Sequence, residues 1–328
     1  MDRTTVHRSM WSIVVNNESP AIHGLVEDYL AAGRARGLSP KTIKLSYGYP
    51  LRGVFLPWCD QQGIREASQL STRLLERFSA GLLDEGGKRG KLSKNTVWSY
   101  MKAVRGFLAW AKADGEAVDA EARLPKLPRR LVEVLSRSEV DRLEGAAGTE
   151  RDKLIVRVLA DTGLRVGELV ALRERDLAER DRHHFIRVLG ASQGGGAKGD
   201  TFRLVPIAPA LSRRLRRYAE RSRPAEAATD RLFLSQRRSS RGTYEAITAS
   251  GVQQLIRDLG DRAGLRKRVH PHLFRHSAAT HMLQRGMNPL LVAQVLGHSS
   301  LAMIQRVYAH LTPTDAHDAL MQALRQEE

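Results

Sequence analysis

The chain has 328 residues, 42% of them hydrophobic, which is enough for two ordinary domains with buried cores and argues against disorder. Its 53 Lys+Arg against 36 Asp+Glu give a net charge of +17, a field that attracts a polyanion and puts nucleic acid first among partners. Aromatics at 5% are thin for a single-strand stacker, the single Cys59 excludes an internal disulfide, and no apolar run nears the ~18 residues of a membrane span, so a soluble, cytoplasmic protein gripping duplex DNA by its phosphates is expected.

Residues 1–20 read as an N-terminal extension, too short at Trp11 to Val15 for a signal-peptide core. Residues 21–114 are helical in pattern throughout, with amphipathic stretches at 22–32, 41–55, 72–83 and 95–112 and no strand signal between them. Two of these stretches echo one another. Leu38-Ser39-Pro40-Lys41-Thr42-Ile43 leads to Arg52-Gly53 and Trp58, and Leu92-Ser93-Lys94-Asn95-Thr96-Val97 leads to Arg105-Gly106 and Trp110. Ser39 and Ser93 are expected N-caps, and shared capping and packing needs account for the likeness. Over residues 115–134 the periodicity fails, and Pro125 and Pro128 favour an extended connector between two domains.

The second domain, residues 135–328, opens with Ser136 and Glu139 at capping-box spacing, and helical periodicity continues through Leu177. Between Phe185 and Ile207 two β-prone runs flank the turn-rich Gly194-Gly195-Gly196-Ala197-Lys198-Gly199-Asp200, which predicts a β-hairpin or small sheet inside a helical domain. Helices are expected from Pro209 to the C-terminus, with breaks near Gly242, Gly264, Gly286 and Gly297.

Within this domain, Thr162-Gly163-Leu164-Arg165-Val166-Gly167-Glu168-Leu169 sets Arg165 and Glu168 three apart, a spacing that by itself describes an ordinary surface ion pair. His270-Pro271-His272-Leu273-Phe274-Arg275 repeats that spacing for His272 and Arg275, with Pro271 suited to a first helical turn. An imidazole, a guanidinium and a helix N-terminus would then converge on one anion. Leu296-Gly297-His298 reads as a helix end exposing His298, and the next helix carries Tyr308 near the apolar stripe of Leu301, Ile304 and Leu311. Singly, Tyr308 and His298 would be packing residues.

Taken in order, these motifs resemble the tyrosine recombinases of the phage integrase family: an Arg in T-G-L-R-x-x-E-L, a Lys in a β-turn, H-x-x-R, L-G-H, and a Tyr about ten residues later. The resemblance spans residues 135–311. It implies a mainly α fold, with an N-terminal helical core-binding (SAM-like) domain at 21–114. A helical catalytic domain with a small antiparallel β-sheet would follow. Arg165, Lys198, His272, Arg275, His298 and Tyr308 would be catalytic and Glu168 a supporting acid. The Lys turn reads Ala197-Lys198-Gly199 before Leu204-Val205-Pro206, where the family usually has G-K-G. The implied activity is site-specific cleavage and rejoining of double-stranded DNA through a 3′-phosphotyrosine, with strands exchanged between two sites by a homo-tetramer and no cofactor or metal.

The residue types suit that chemistry. Two guanidinium forks can bind the non-bridging oxygens of a pentacoordinate phosphorane. A phenol of ordinary pKa near ~10 needs a base, for which His272 is the candidate, and the departing 5′-oxygen needs an acid, for which Lys198 is. A zinc reading of His272 and His276 lacks both the Glu of a zincin helix and a cysteine cluster, and the glycine-rich turn is no Walker loop. The rival readings are a catalytically silent DNA-binding regulator and a type IB topoisomerase. The full catalytic set argues against the first. Against the second stands the tail after Tyr308, which resembles a recombinase tail that docks on a neighbouring subunit.

Overall fold

The computed structural model describes residues 22–86, 90–127, 133–190, 195–196 and 202–297. The chain divides into two compact units, Met1–Arg129 and Arg130–Glu328. The described residues of the first unit are built on helices. Helix α1 (Ile22–Ala35) is followed by α2 (Pro40–Thr42), which runs through two π-helical turns, Ile43–Gly48 and Leu51–Phe55, into α3 (Leu56–Gln61). Pro50, lying between those turns, has no N–H to donate and its ring crowds the carbonyl four residues back, which accounts for the local departure from α spacing. Helices α4 (Thr72–Asp84) and α5 (Lys94–Ala113) complete the unit around Leu25, Leu30, Phe55, Met101 and Phe107. The two look-alike stretches share a cap. Ser39 Oγ accepts the Thr42 N–H at 3.1 Å, Ser93 Oγ accepts that of Thr96 at 3.2 Å, and each Ser–Thr hydroxyl pair lies 2.9 Å apart.

The second unit opens with α6 (Arg137–Gly145), whose capping box forms as its spacing predicts: Glu139 Oε2 accepts the Ser136 N–H at 2.8 Å and Ser136 Oγ accepts that of Glu139 at 3.2 Å. Helix α7 (Glu150–Thr162) buries Leu154, Ile155, Val158 and Leu159 and stops at Gly163, in the left-handed region at φ 62°. Short α8 (Val166–Ala171) leads to an antiparallel sheet ordered β1-β2-β3, from β1 (Leu177–Arg180), β2 (His183–Val188) and β3 (Arg203–Ile207). Along β3, Arg203, Val205 and Ile207 are buried while Leu204 and Pro206 face out, and an edge position tolerates the proline's missing donor. Helix α9 (Pro209–Arg221), the hairpin of β4 (Leu234–Arg238) and β5 (Tyr244–Ala246), and helices α10 (Ala249–Arg262), α11 (Pro271–Gln284) and α12 (Pro289–Leu296) follow.

The fold is thus mainly helical with small antiparallel sheets, and it corrects the sequence reading at two places. Residues 177–180 form β1 where helical periodicity was expected to be closing. The β1–β2 turn is the two-residue Asp181-Arg182, both at positive φ (49° and 64°), a primed turn written without the Asn-Gly or Asp-Gly that usually marks one. Beyond Pro209, where only helices were expected, β4 and β5 pair around Gly242 at φ 76°. Among the described residues no helix is long and apolar enough to cross a membrane.

Candidate active site

The C-terminal end of α12 is where the site assembles. The last carbonyls of an α-helix have no partner within it and attract cations. Here three arginines from three different elements take three consecutive ones. Arg203 Nε of β3 donates to Val295 O at 2.8 Å, Arg275 Nη2 of α11 to Leu296 O at 2.6 Å, and Arg165 Nη2, at the start of α8, to Gly297 O at 2.8 Å. Gly297 turns the chain at φ 65°, and a Cβ there would lie 2.8 Å from Arg203 Nη1. On the other side Arg275 Nη1 donates to Gly163 O at 2.8 Å, tying the end of α7 to the same cluster.

Glu168 sits at the centre, its side chain fully buried. Arg165 is the N-cap of α8 and Glu168 its third residue, so Glu168 Oε2 accepts the Arg165 backbone N–H at 2.8 Å while Oε1 accepts Arg165 Nη1 at 2.8 Å. Arg203 fills the other side with a fork, Nη1 to Oε1 at 3.0 Å and Nη2 to Oε2 at 2.8 Å. Each carboxylate oxygen therefore accepts one bond from each arginine. Burial by itself would raise the Glu168 pKa; the Arg203 fork and then the Arg165 bonds overcome it and hold the group below the ordinary carboxylate value. A spacing that by itself describes a surface ion pair here belongs to a buried network.

Arg275 is 5% exposed, and burial first, then the neighbouring Arg165 charge, press its guanidinium down to about 9, still charged at neutral pH. Arg165 keeps 26% of its side chain exposed and is the arm of the cluster open to solvent. His272 is exposed on the first turn of α11, one turn before Arg275, and Pro271 occupies the first helical position as its φ suits. The N-cap is His270, whose Nδ1 accepts the Leu273 N–H at 3.1 Å; burial and the His272 charge lower its pKa. Three guanidinium groups around one carboxylate leave net positive charge, the electrostatics of an oxyanion site.

Of the residues singled out in the sequence, Arg165, Glu168 and Arg275 are brought together and His272 shares the helix of Arg275. Lys198, His298 and Tyr308 lie outside the described residues. Two of their chain neighbours do not: Gly196 abuts α8, where a Cβ would meet Gly167 O at 1.9 Å, and Gly297 carries the Arg165 bond. Tyr218 is buried with its ring 5.9 Å from that of Phe233, and Tyr244 stacks under the Arg238 guanidinium, 5.3 Å away. Sequence reasoning missed Arg203. Its signal was an arginine in phase with Val205 and Ile207 on the buried face of an alternating strand, a position that demands a countercharge. Among the described residues no three His, Cys, Asp or Glu side chains gather to hold a metal.

A model of the phage integrase family matches residues 133–315. The tyrosine recombinase XerA of Thermococcus onnurineus (strain NA1) is 32% identical over 294 residues, covering 89% of this chain and 92% of its own. The tyrosine recombinase XerD of Listeria monocytogenes serotype 4b (strain F2365) is 29% identical over 315 residues, 92% of this chain and 98% of its own. Among solved structures, the Tn1549 transposon integrase in complex with transposon right end DNA has a TM-score of 0.69 at 21% identity, covering 91% of this chain and 98% of that one, which shows a shared fold.

Proposed function

Because the chain belongs to the phage integrase family and is a site-specific DNA recombinase of the tyrosine type, we propose that Tyr308 is its nucleophile and that Arg165 and Arg275 grip the reacting phosphate. The phenolic oxygen of Tyr308 attacks phosphorus, its proton passing to His272, and the bond from phosphorus to the 5′-oxygen breaks as that oxygen takes a proton from Lys198. The product is a 3′-phosphotyrosine and a free 5′-hydroxyl. A 5′-hydroxyl of a second strand reverses the step, so exchange needs no ATP. Arg165 and Arg275 neutralise charge on the non-bridging oxygens, His298 adds a hydrogen bond to one of them, and Glu168 orients Arg165.

The observation that carries this reading is the triple anchoring of α12. Arg165 and Arg275 both bind the carbonyls immediately before residue 298, so the phosphate-binding arginines and the segment leading to His298 and Tyr308 share one rigid joint. The reaction would run on duplex DNA in the cytoplasm, in a homo-tetramer spanning two recombination sites, with residues 21–114 as the core-binding domain, 115–134 as the linker and 135–328 as the catalytic domain. The recombinase relatives support a reaction on DNA.

The test is a suicide duplex nicked beside the cleavage point. Wild type is expected to accumulate an adduct stable to denaturation, with the 3′-phosphate on the peptide containing Tyr308. Tyr308→Phe removes one oxygen and almost no volume, so the variant should bind its site and form none. Tyr244→Phe, remote from the arginine cluster, should still form it. Adduct formation by Tyr308→Phe at the wild-type rate would refute the assignment.

A further inference from the structure

From the buried network around Glu168 we infer that Arg203, on β3, is a positioning residue for DNA cleavage, acting on Arg165 through Glu168. This rests on the reading that Arg165 grips the reacting phosphate.

The Arg203 side chain is 8% exposed, and all three of its nitrogens are already engaged by internal acceptors among the described residues, which leaves it poorly placed to hold a phosphate itself. Its Nε is spent on Val295 O, which fixes the plane of the guanidinium, and its two terminal nitrogens take one Glu168 oxygen each. Among the described residues Glu168 has one other partner of this strength, Arg165, which donates both Nη1 and its backbone N–H. With Arg203 in place the carboxylate is shared between two cations, and Arg165 is left oriented, partly exposed, and able to turn its remaining donor capacity toward an incoming anion. Without it, Arg165 would be the one guanidinium among the described residues still hydrogen-bonded to the buried carboxylate. The guanidinium would then be drawn onto Glu168 and away from the phosphate, and the barrier would rise because a binding group misplaced by an ångström costs about 10²-fold in rate.

Position in the chain gives Arg203 a second significance. It begins the strand that follows Lys198 in the chain, and its Nε bond reaches the end of α12, which precedes His298 and Tyr308 in sequence. The tight seat at Gly297, where any Cβ would meet the Arg203 guanidinium at 2.8 Å, leaves little freedom in that bond.

The experiment is single-turnover adduct formation on the nicked duplex at saturating protein, with binding measured separately, for wild type, Arg203→Met, Glu168→Gln, the double variant and Arg165→Lys. Arg203→Met should slow adduct formation by about 10²-fold while site affinity stays within about threefold. A residue that merely supported the fold would move both. Because the effect runs through the charge on Glu168, removing that charge should restore function: the double variant should cleave at least about tenfold faster than Arg203→Met, and close to Glu168→Gln alone. The double variant exchanges a buried ion pair for neutral groups, which cores tolerate, so the comparison with Glu168→Gln stands even where Arg203→Met alone folds poorly. Wild-type cleavage by Arg203→Met, or a double variant far slower than Glu168→Gln, would overturn the inference. If Arg165→Lys is slow and Arg203→Met is not, only this inference falls. Wild-type cleavage by Arg165→Lys removes the reading beneath it as well.

Discussion

Arg275 illustrates how a guanidinium can be both buried and charged at no loss of order: two carbonyls on two helices receive its two terminal nitrogens, Gly163 O and Leu296 O. Lysine carries the same charge on one nitrogen and cannot bridge those acceptors while presenting a planar fork to a phosphate. Arg275→Lys and Arg165→Lys are therefore expected to cut the cleavage rate by roughly 10²-fold or more with little change in DNA affinity, as for loss of a donor that acts mainly on the transition state. Single-turnover cleavage beside equilibrium binding decides it; equal losses in both would show that the arginines act in ground-state binding instead.

At the level of elements, the site depends on helix ends more than on helix bodies. Helix α7 stops at Gly163, α8 starts at Arg165, α11 starts one residue after His270, and α12 stops at Gly297. Gly163 has a positive φ, and a Cβ there would meet Leu296 Cδ2 at 2.5 Å and Ala278 Cβ at 3.1 Å. Gly163→Ala should destabilise the fold by more than about 1 kcal/mol and also slow cleavage, because the displaced Leu296 carries the carbonyl that holds Arg275. Ser136→Ala offers the contrast: losing the α6 cap should cost about 1 kcal/mol of stability, read by chemical denaturation, and leave the cleavage rate unchanged. Equal kinetic effects in the two variants would mean that α7 does not position the site.

For the whole molecule, charge governs both partner and pH range. With +17 overall, raising salt from about 50 to about 200 mM should weaken binding by roughly 10³-fold if six phosphates are neutralised, and a flat response would argue against a phosphate clamp. Acid should act in two stages. Burial first, then the Arg285 and Arg137 charges, lower the His281 pKa, and burial lowers that of His270, so their contribution is complete above the unfolded value of 6.5 and declines as pH falls through the folded ones. The pKa of Glu168 is also held down, so its contribution is present above 4.5 and disappears as pH drops through the lower folded value. Calorimetry from pH 8 to 3 should show a shallow loss of Tm below about 6.5 and a steeper one below about 4.5. Glu168→Gln should remove much of the second; an unchanged acid limb in that variant would show that the network contributes no linked stability.

Local physics made much of this legible in the amino-acid order. Capping is a matter of residues three apart, so Ser39, Ser93 and the Ser136–Glu139 box could be read directly, and a β-prone run after the turn-rich stretch marked β3. The ordered motifs likewise singled out Arg165, Glu168 and Arg275. Tertiary structure alone decided that these three meet at the end of α12, since the bonds joining Arg165 to Gly297 and Arg275 to Gly163 span residues more than a hundred positions apart. It also decided the role of Arg203: pattern could place it on a buried face, but only the fold supplies the carboxylate and the carbonyl that make burying a charge there affordable. The β1 strand and the β4–β5 hairpin escaped sequence reasoning for a related reason. Short strands draw their stability from the partner across the sheet, and a primed turn written Asp181-Arg182 announces itself only in its dihedral angles.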